Sequence, residues 1–185
     1  MIELHNLTVK EYFDLENKDE YNFAIKYAYE FTEPVNMLNL PEIDDIEFGI
    51  IKDIQACITD NSLTIYKEIE FICKILNIES VGGYLLTYLC KTVNWLLNAV
   101  AEKLMIESKM LVGQPDNIDI EAGIEQTFDG LGILIQIDSL AGGDVTKYEQ
   151  VRKLPYNVAF TKLYLNNRYN EHERRKLDIM KRKNK

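Results

Sequence analysis

Proline and glycine are scarce in this chain, four and nine in 185 residues. That scarcity speaks against many short strands joined by tight turns and leaves room for long helices. Histidine is nearly absent: His5 and His172 lie near opposite ends, and neither has a ligand-type neighbour at metal spacing. Both are read as surface residues. The three cysteines, Cys57, Cys73 and Cys90, are odd in number, form no C-x-x-C and sit inside apolar helical patterns. They read as buried thiols in a reducing compartment, not as a disulfide framework. A cysteine nucleophile would need a histidine in mid-chain, and there is none. Gly82-Gly83 and Gly142-Gly143 lack the flanking residues of a phosphate loop, so they read as hinges or caps. No uncharged apolar run approaches the roughly 20 residues of a bilayer span, because Lys91 splits the longest one and Glu102-Lys103 closes it. Glu3 comes early, without the basic patch and apolar run of a signal peptide, so no leader and no membrane partner are expected. No cofactor, no metal and no enzymatic chemistry are expected from such a sequence.

What the sequence does have is helical periodicity. Within residues 81–110, Thr87, Lys91, Asn94, Asn98 and Glu102 recur at spacings of four, three, four and four, one stripe of an α-helix. Nearly everything else there is apolar. A helix with one narrow wet stripe is expected to be covered on most of its circumference. It therefore reads as the central helix of an all-α domain, begun at Gly82-Gly83 and ended by Gly113 and Pro115.

The rest of the chain arranges itself around it. Thr8 and Glu11 form a capping box for a short first helix that ends near Asn17. A second helix is expected at about residues 20–31. Pro34 and Pro41 then bound a linker whose Met37, Leu38 and Leu40 plug against the core. Asp44 or Asp45 starts a third helix with Ile46, Ile50, Ile54 and Cys57 on one face. Asp60-Asn61-Ser62 is turn chemistry, and Ser62 is the candidate cap of a fourth helix carrying Ile65, Ile69, Ile72 and Leu76. The two would make a helical hairpin. Residues 118–141 read as a helix, although Gly123, Gly130 and Gly132 each cost about 1 kcal/mol relative to alanine. The β-branched content after Gly130 leaves a strand open. Helix is preferred because no partner strand is evident, and the glycines then suggest close helix crossing. A short helix, Val145 to Lys153, leads to Pro155 and one long C-terminal helix. The expected organisation is a helical domain at 1–154 and a C-terminal helix at 155–185. The first half of that helix packs, and its charged second half projects.

Charge is unevenly spread. The chain carries −9 overall, yet residues 168–185 hold eight Lys and Arg against three acids. An acidic body with a basic tail disfavours nonspecific nucleic-acid binding by the body, and it offers a head-to-tail contact between copies. The acidic clusters Glu42, Asp44, Asp45, Glu47 and Asp116, Asp119, Glu121 sit at expected helix starts, where the helix dipole favours them. Neither has the Gly and Glu positions of a calcium loop.

Two stretches carry a resemblance. The opening Leu7-Thr8-Val9-Lys10-Glu11-Tyr12 and the run Gly143-Asp144-Val145-Thr146-Lys147-Tyr148-Glu149-Gln150-Val151-Arg152-Lys153-Leu154-Pro155-Tyr156, followed by a long charged helix, resemble small helical morphogenesis proteins of tailed bacteriophages. Tail assembly chaperones are the nearest group, then head–tail connector or adaptor proteins. The resemblance covers about 50 residues and no catalytic residue. It implies a phage assembly or structural protein acting through protein–protein contacts, located in the bacterial host cytoplasm during assembly or in the virion. Its partners would be phage structural or tail proteins, with self-association into a homo-oligomer beside them. The candidate partner-binding residues are Tyr148, Tyr156, Tyr164, Arg168, Tyr169, Arg174, Arg175 and Lys176. The alternative is a nucleic-acid-associated regulator or packaging protein using the basic tail, against which stand its single nearby aromatic, Tyr169, and the lack of a recognised motif.

Overall fold

The computed structural model describes residues 6–16, 33–77, 81–111 and 131–183. The helix expected at 20–31, the stop at Gly113 and Pro115, Asp116, Asp119, Glu121, Gly123, Gly130 and His5 lie outside the described residues. The chain is all-α. Among the described residues there are seven α-helices: α1 (Val9–Asp14), α2 (Phe48–Thr59), α3 (Ile65–Leu76), α4 (Leu86–Met110), α5 (Gly132–Ala141), α6 (Tyr148–Arg152) and α7 (Tyr156–Lys183). Two isolated bridges, Thr8 to Leu85 and Glu47 to Pro155, are the only β pairing among these residues.

Packing divides the chain into two compact units. One comprises Met1–Ile46 and Ile50–Lys103, the other Glu47–Gly49 and Leu104–Lys185. The units part inside α4.

In the first unit the capping box forms as the sequence demands. The Glu11 amide donates to Thr8 Oγ1 at 3.2 Å, and the Thr8 amide donates to Glu11 Oε2 at 2.8 Å. Those hydrogen bonds hold the Glu11 carboxyl below its ordinary pKa. Backbone bonds then tie α1 to the start of α4. Val9 N–H donates to the Tyr84 carbonyl at 2.9 Å, Lys10 N–H to that of Gly82 at 3.0 Å, and Leu86 N–H to that of Leu7 at 2.8 Å. Helix-start amides that would otherwise lack partners are thereby satisfied by a neighbouring turn. The 33–46 linker is pinned in the same way: the Met37 and Leu38 amides both donate to Thr92 Oγ1. Thr92 is therefore buried at no polar cost, and Leu38 and Leu40 enter the core while Met37 stays half-buried.

Several expectations change here. Asp44 and Asp45 belong to a 3₁₀ turn, Ile43–Asp45, and the helix begins only at Phe48. Asp44 pairs with Lys103 at 2.6 Å, so at this acid the ion pair replaces the expected helix-dipole role. The buried side chains of α2 are Phe48, Ile51, Lys52, Ile54 and Gln55, whereas Ile50 and Cys57 lie half-buried at the boundary of the core. Thr64, not Ser62, caps α3, accepting from the Lys67 amide at 3.4 Å; Ser62 lies two residues too far out. Cys57 and Cys73 are half-buried, and only Cys90 is a core thiol, pushed by burial up to about 12.

The central helix is less enclosed than expected. Leu86, Leu89, Val93, Leu96 and Val100 form one fully buried seam, but Tyr88, Met105, Ile106 and Met110 are exposed. Apolar composition sets what a helix can bury, while the number of neighbours sets what it does bury.

The second unit gathers α5, α6 and the first half of α7, with α5 packed against both. Gly142 and Gly143 adopt positive φ (67° and 80°) and end α5 in the left-handed conformation that glycine tolerates. A Cβ on Gly132 would meet nothing within 4 Å, so this glycine is not there for a close helix crossing. Residues 132–141 are helix, as preferred over strand. The Phe48 amide donates to the Leu154 carbonyl at 2.8 Å, which brings the Phe48 ring to 6.4 Å from that of Tyr156.

Candidate functional site

α7 carries most of the candidate residues, and its two halves treat them differently. Its start is shaped by Pro155, whose carbonyl accepts from the Val158 and Ala159 amides. Tyr156, Ala159 and Leu163 recur at helical spacing and are buried. Tyr156 is only 1% exposed: its ring stacks on Phe160 at 5.9 Å, and its hydroxyl donates to Glu107 Oε1 at 2.6 Å. Tyr156 is thus core and cannot meet a partner. The hydrophobic half-turn that positions it was legible in the sequence, but the buried carboxylate that holds its hydroxyl was not.

Tyr148, at the start of α6, donates its hydroxyl to Asp138 Oδ1 at 2.7 Å, and that bond raises its pKa. It serves the α5–α6 contact. In the same turn Asp144 accepts from the Thr146 amide and hydroxyl and pairs with Lys147, which lowers its pKa. Tyr164 is half-buried, whereas Tyr169 is 66% exposed. Arg168, Arg174, Arg175 and Lys176 are all exposed. Glu171 pairs with Arg168 at 2.9 Å and with Arg175 at 3.6 Å, and Lys176 pairs with Glu173 at 3.4 Å. The structure therefore brings Arg168 and Arg175 together around one carboxylate. From His172 to Lys183 every residue is exposed, including Leu177, Ile179 and Met180 at about half their surface.

A second feature escaped the sequence reading. Between α5 and α7 runs a groove of about 360 Å³, lined on its polar side by Gln136, Ser139, Asn166, Asn167 and Asn170. Leu111, Ile135 and Leu163 supply its apolar side. Asn166 Nδ2 reaches Ser139 Oγ at 3.3 Å, and Asn167 Nδ2 donates to the Met110 carbonyl at 3.0 Å, so two amides brace the walls. Gln136 Oε1 is buried without a hydrogen-bond partner. An unmet buried carbonyl of this kind costs about 1–3 kcal/mol. The signal available in the sequence was the amide run Asn166-Asn167 and Asn170, placed on one face by helical spacing.

The first unit has its own shallow groove of about 450 Å³, where Cys57, Ile58 and Leu63 face Leu97 and Ala101. Lys67 Nζ lies 4.0 Å from Cys57 Sγ and 3.4 Å from Ser62 Oγ. Among the described residues, no three His, Cys, Asp or Glu side chains converge as a metal site would require, and no helix is long and apolar enough to cross a membrane. No protein-family model matches the chain, and neither the curated proteins nor the solved structures yielded a match.

Proposed function

We propose that this protein is a non-enzymatic assembly or structural factor that docks on another protein through the exposed half of α7 and the adjoining Gly143–Pro155 turn. The observation that carries the reading is the stretch His172–Lys183, helical throughout and exposed throughout, with Leu177, Ile179 and Met180 open to solvent. An isolated helix of that length is marginal in water, so this one depends on its packed first half for its form. A helix end presented in this way, apolar and basic at once, suits a partner with an apolar groove and an acidic rim. The resemblance to tail assembly chaperones and head–tail connectors of tailed bacteriophages supports placing that partner among phage structural or tail proteins. It also supports action in the host cytoplasm or the virion. The acidic remainder of the chain makes a second copy the other natural partner.

Native mass by light scattering, at low and high salt, tests the reading together with a pull-down on phage structural proteins. Replacing Arg174, Arg175 and Lys176 by Glu should abolish the partner complex and leave helicity unchanged. Binding that survives the triple replacement rejects the proposal. The nucleic-acid alternative predicts instead a duplex affinity that falls steeply with salt, as counterion release demands. The intrahelical pairs of Arg168, Arg175 and Lys176 weigh against it, because these cations already have carboxylate neighbours.

A further inference from the structure

We propose that Cys57 and Lys67 are a modification site: a peroxide oxidises the thiol, and a reversible covalent bond forms between Cys57 Sγ and Lys67 Nζ. The two side chains meet across the turn that joins α2 to α3. Lys67 Nζ donates to Cys57 Sγ at 4.0 Å and to Ser62 Oγ at 3.4 Å, so amine and sulfur are paired before any oxidant arrives. Local structure holds the pair in place. Cys57 lies in the last turn of α2, and Lys67 lies in the first turn of α3, where its amide donates to the Thr64 cap. Between them the Asp60 amide donates to the Ala56 carbonyl at 2.9 Å, and the Ser62 amide donates to that of Cys57 itself at 3.0 Å. Cys57 is half-buried and lines the groove of the first unit, through which a small oxidant reaches it from solvent.

The chemistry balances with a peroxide as its one co-reactant. The Cys57 sulfur attacks a peroxide oxygen, the O–O bond breaks, and the products are a sulfenic acid and water. Sulfenic acids condense with nitrogen as well as with thiols. The Lys67 amine, its extra proton given to solvent, attacks the oxidised sulfur with its lone pair. The S–N bond forms, the S–O bond breaks, and the hydroxyl leaves with a proton from nitrogen as a second water. Sulfur has then lost two electrons to the peroxide, and the protein has lost two hydrogens. An external thiol reverses the step by attacking the same sulfur and releasing the amine. The other two cysteines mark the contrast. Cys90 is 2% exposed, and burial pushes its thiol up to about 12. Cys73 hydrogen-bonds the Val81 backbone instead of an amine, and burial raises its pKa as well. Once made, the bond closes the turn covalently and removes freedom from the unfolded chain, so the oxidised protein resists denaturant better.

The site lies in the first unit and does not depend on the function assigned to α7. The full-length protein is treated with hydrogen peroxide, and its intact mass and proteolytic peptides are read by mass spectrometry. Expected is a species lighter by two hydrogens, with a joined peptide that links Cys57 to Lys67. Dithiothreitol should restore the original mass and return the raised denaturation midpoint to that of the untreated protein. Cys73→Ser should cross-link as the wild type does, whereas Cys57→Ser and Lys67→Arg should not. Arginine keeps the positive charge but offers no free amine, so in Lys67→Arg the sulfenic acid should persist and be labelled at Cys57 by dimedone. The wild-type peptide map decides the matter even if a variant folds poorly. The proposal is overturned if Cys57 stays reduced under peroxide, or if dimedone labels it as strongly in the wild type as in Lys67→Arg. A joined peptide that retains the oxygen overturns the S–N bond, and a link from Cys57 to any other residue overturns the pairing.

Discussion

Between Tyr156 and Leu163, α7 buries a residue on each turn; from His172 to Lys183 it buries none. One backbone thus runs through two regimes. In the first, Tyr156, Ala159 and Leu163 contribute apolar burial, at roughly 25 cal/mol per Å² removed from water, and fix the helix on its unit. In the second, the helix is supported by Glu171–Arg175 and Glu173–Lys176, exposed pairs worth about 0.3–0.5 kcal/mol each. Lys181, Arg182 and Lys183 add a favourable charge at the negative end of the helix dipole. Folding free energy resides in the first half, and surface available to other molecules resides in the second. The comparison can be broken by mutations that move the same observable in the wrong half.

The largest effect belongs to Tyr156. Tyr156→Ala removes a buried ring stacked on Phe48 and Phe160 and deletes the hydroxyl that donates to Glu107. A loss of about 3–5 kcal/mol in denaturant unfolding is expected. Tyr169→Ala, one aromatic for another on the same helix but 66% exposed, should stay within about 0.5 kcal/mol. Similar losses from the two would erase the distinction between the halves.

Gly49→Ala comes next and tests the buried half from the opposite wall. A Cβ on Gly49 would stand 2.9 Å from Arg152 Cβ and 3.0 Å from its Nε. The contact with Cβ, close to the α6 backbone, cannot be relieved by a rotamer change alone. Overpacking of this kind costs about 1–3 kcal/mol, read as a lowered denaturation midpoint. Gly132→Ala provides the contrast: its Cβ meets nothing, and at a helix position alanine should be neutral or stabilising. A Gly49→Ala protein as stable as the wild type would show that the 152 region yields freely.

Legibility in the sequence followed the range of the interactions. Local ones were readable: the Thr8–Glu11 box, the glycine stop after Ala141, and the apolar period of residues 86–100. Contacts between distant segments were not. Nothing near Thr92 announces that it accepts from the amides of Met37 and Leu38, and nothing near Asp44 announces Lys103. The start of α2 was misplaced for that reason, because Asp44 was read as a helix-start acid when it is an ion-pair partner. Tyr156 stands among the partner-binding candidates, yet it shares the helical period of Ala159 and Leu163 and is buried with them. The groove was missed because amides carry no sign of their role until a second helix stands opposite them.

A smaller effect is expected at α1, far along the sequence from α7. Thr8→Ala removes the hydroxyl that accepts from the Glu11 amide and should cost about 1 kcal/mol. Its pH dependence has a definite sign. The Glu11 carboxyl is held below its ordinary value by bonds from Thr8. Its contribution is therefore complete above the unfolded carboxylate's pKa and is lost as pH falls through the folded one. The stability gap between wild type and Thr8→Ala should narrow on acidification. A gap that widens at acid pH would mean that the carboxylate does not take part in the cap.

The smallest expected change in stability carries the most weight for the comparison. Ending the chain after Glu171 removes the fully exposed turns of α7 while keeping Tyr156, Ala159 and Leu163. Few interactions outside the helix itself are lost, so unfolding free energy should move by no more than about 0.5 kcal/mol. Far-UV ellipticity should fall only by the share of the residues removed. The shortened protein should lose the partner contact assigned to the basic end. A large loss of stability would show that the exposed turns are packed on something within the fold. The free surface attributed to them would then be an internal contact, and the division of labour along α7 would be wrong.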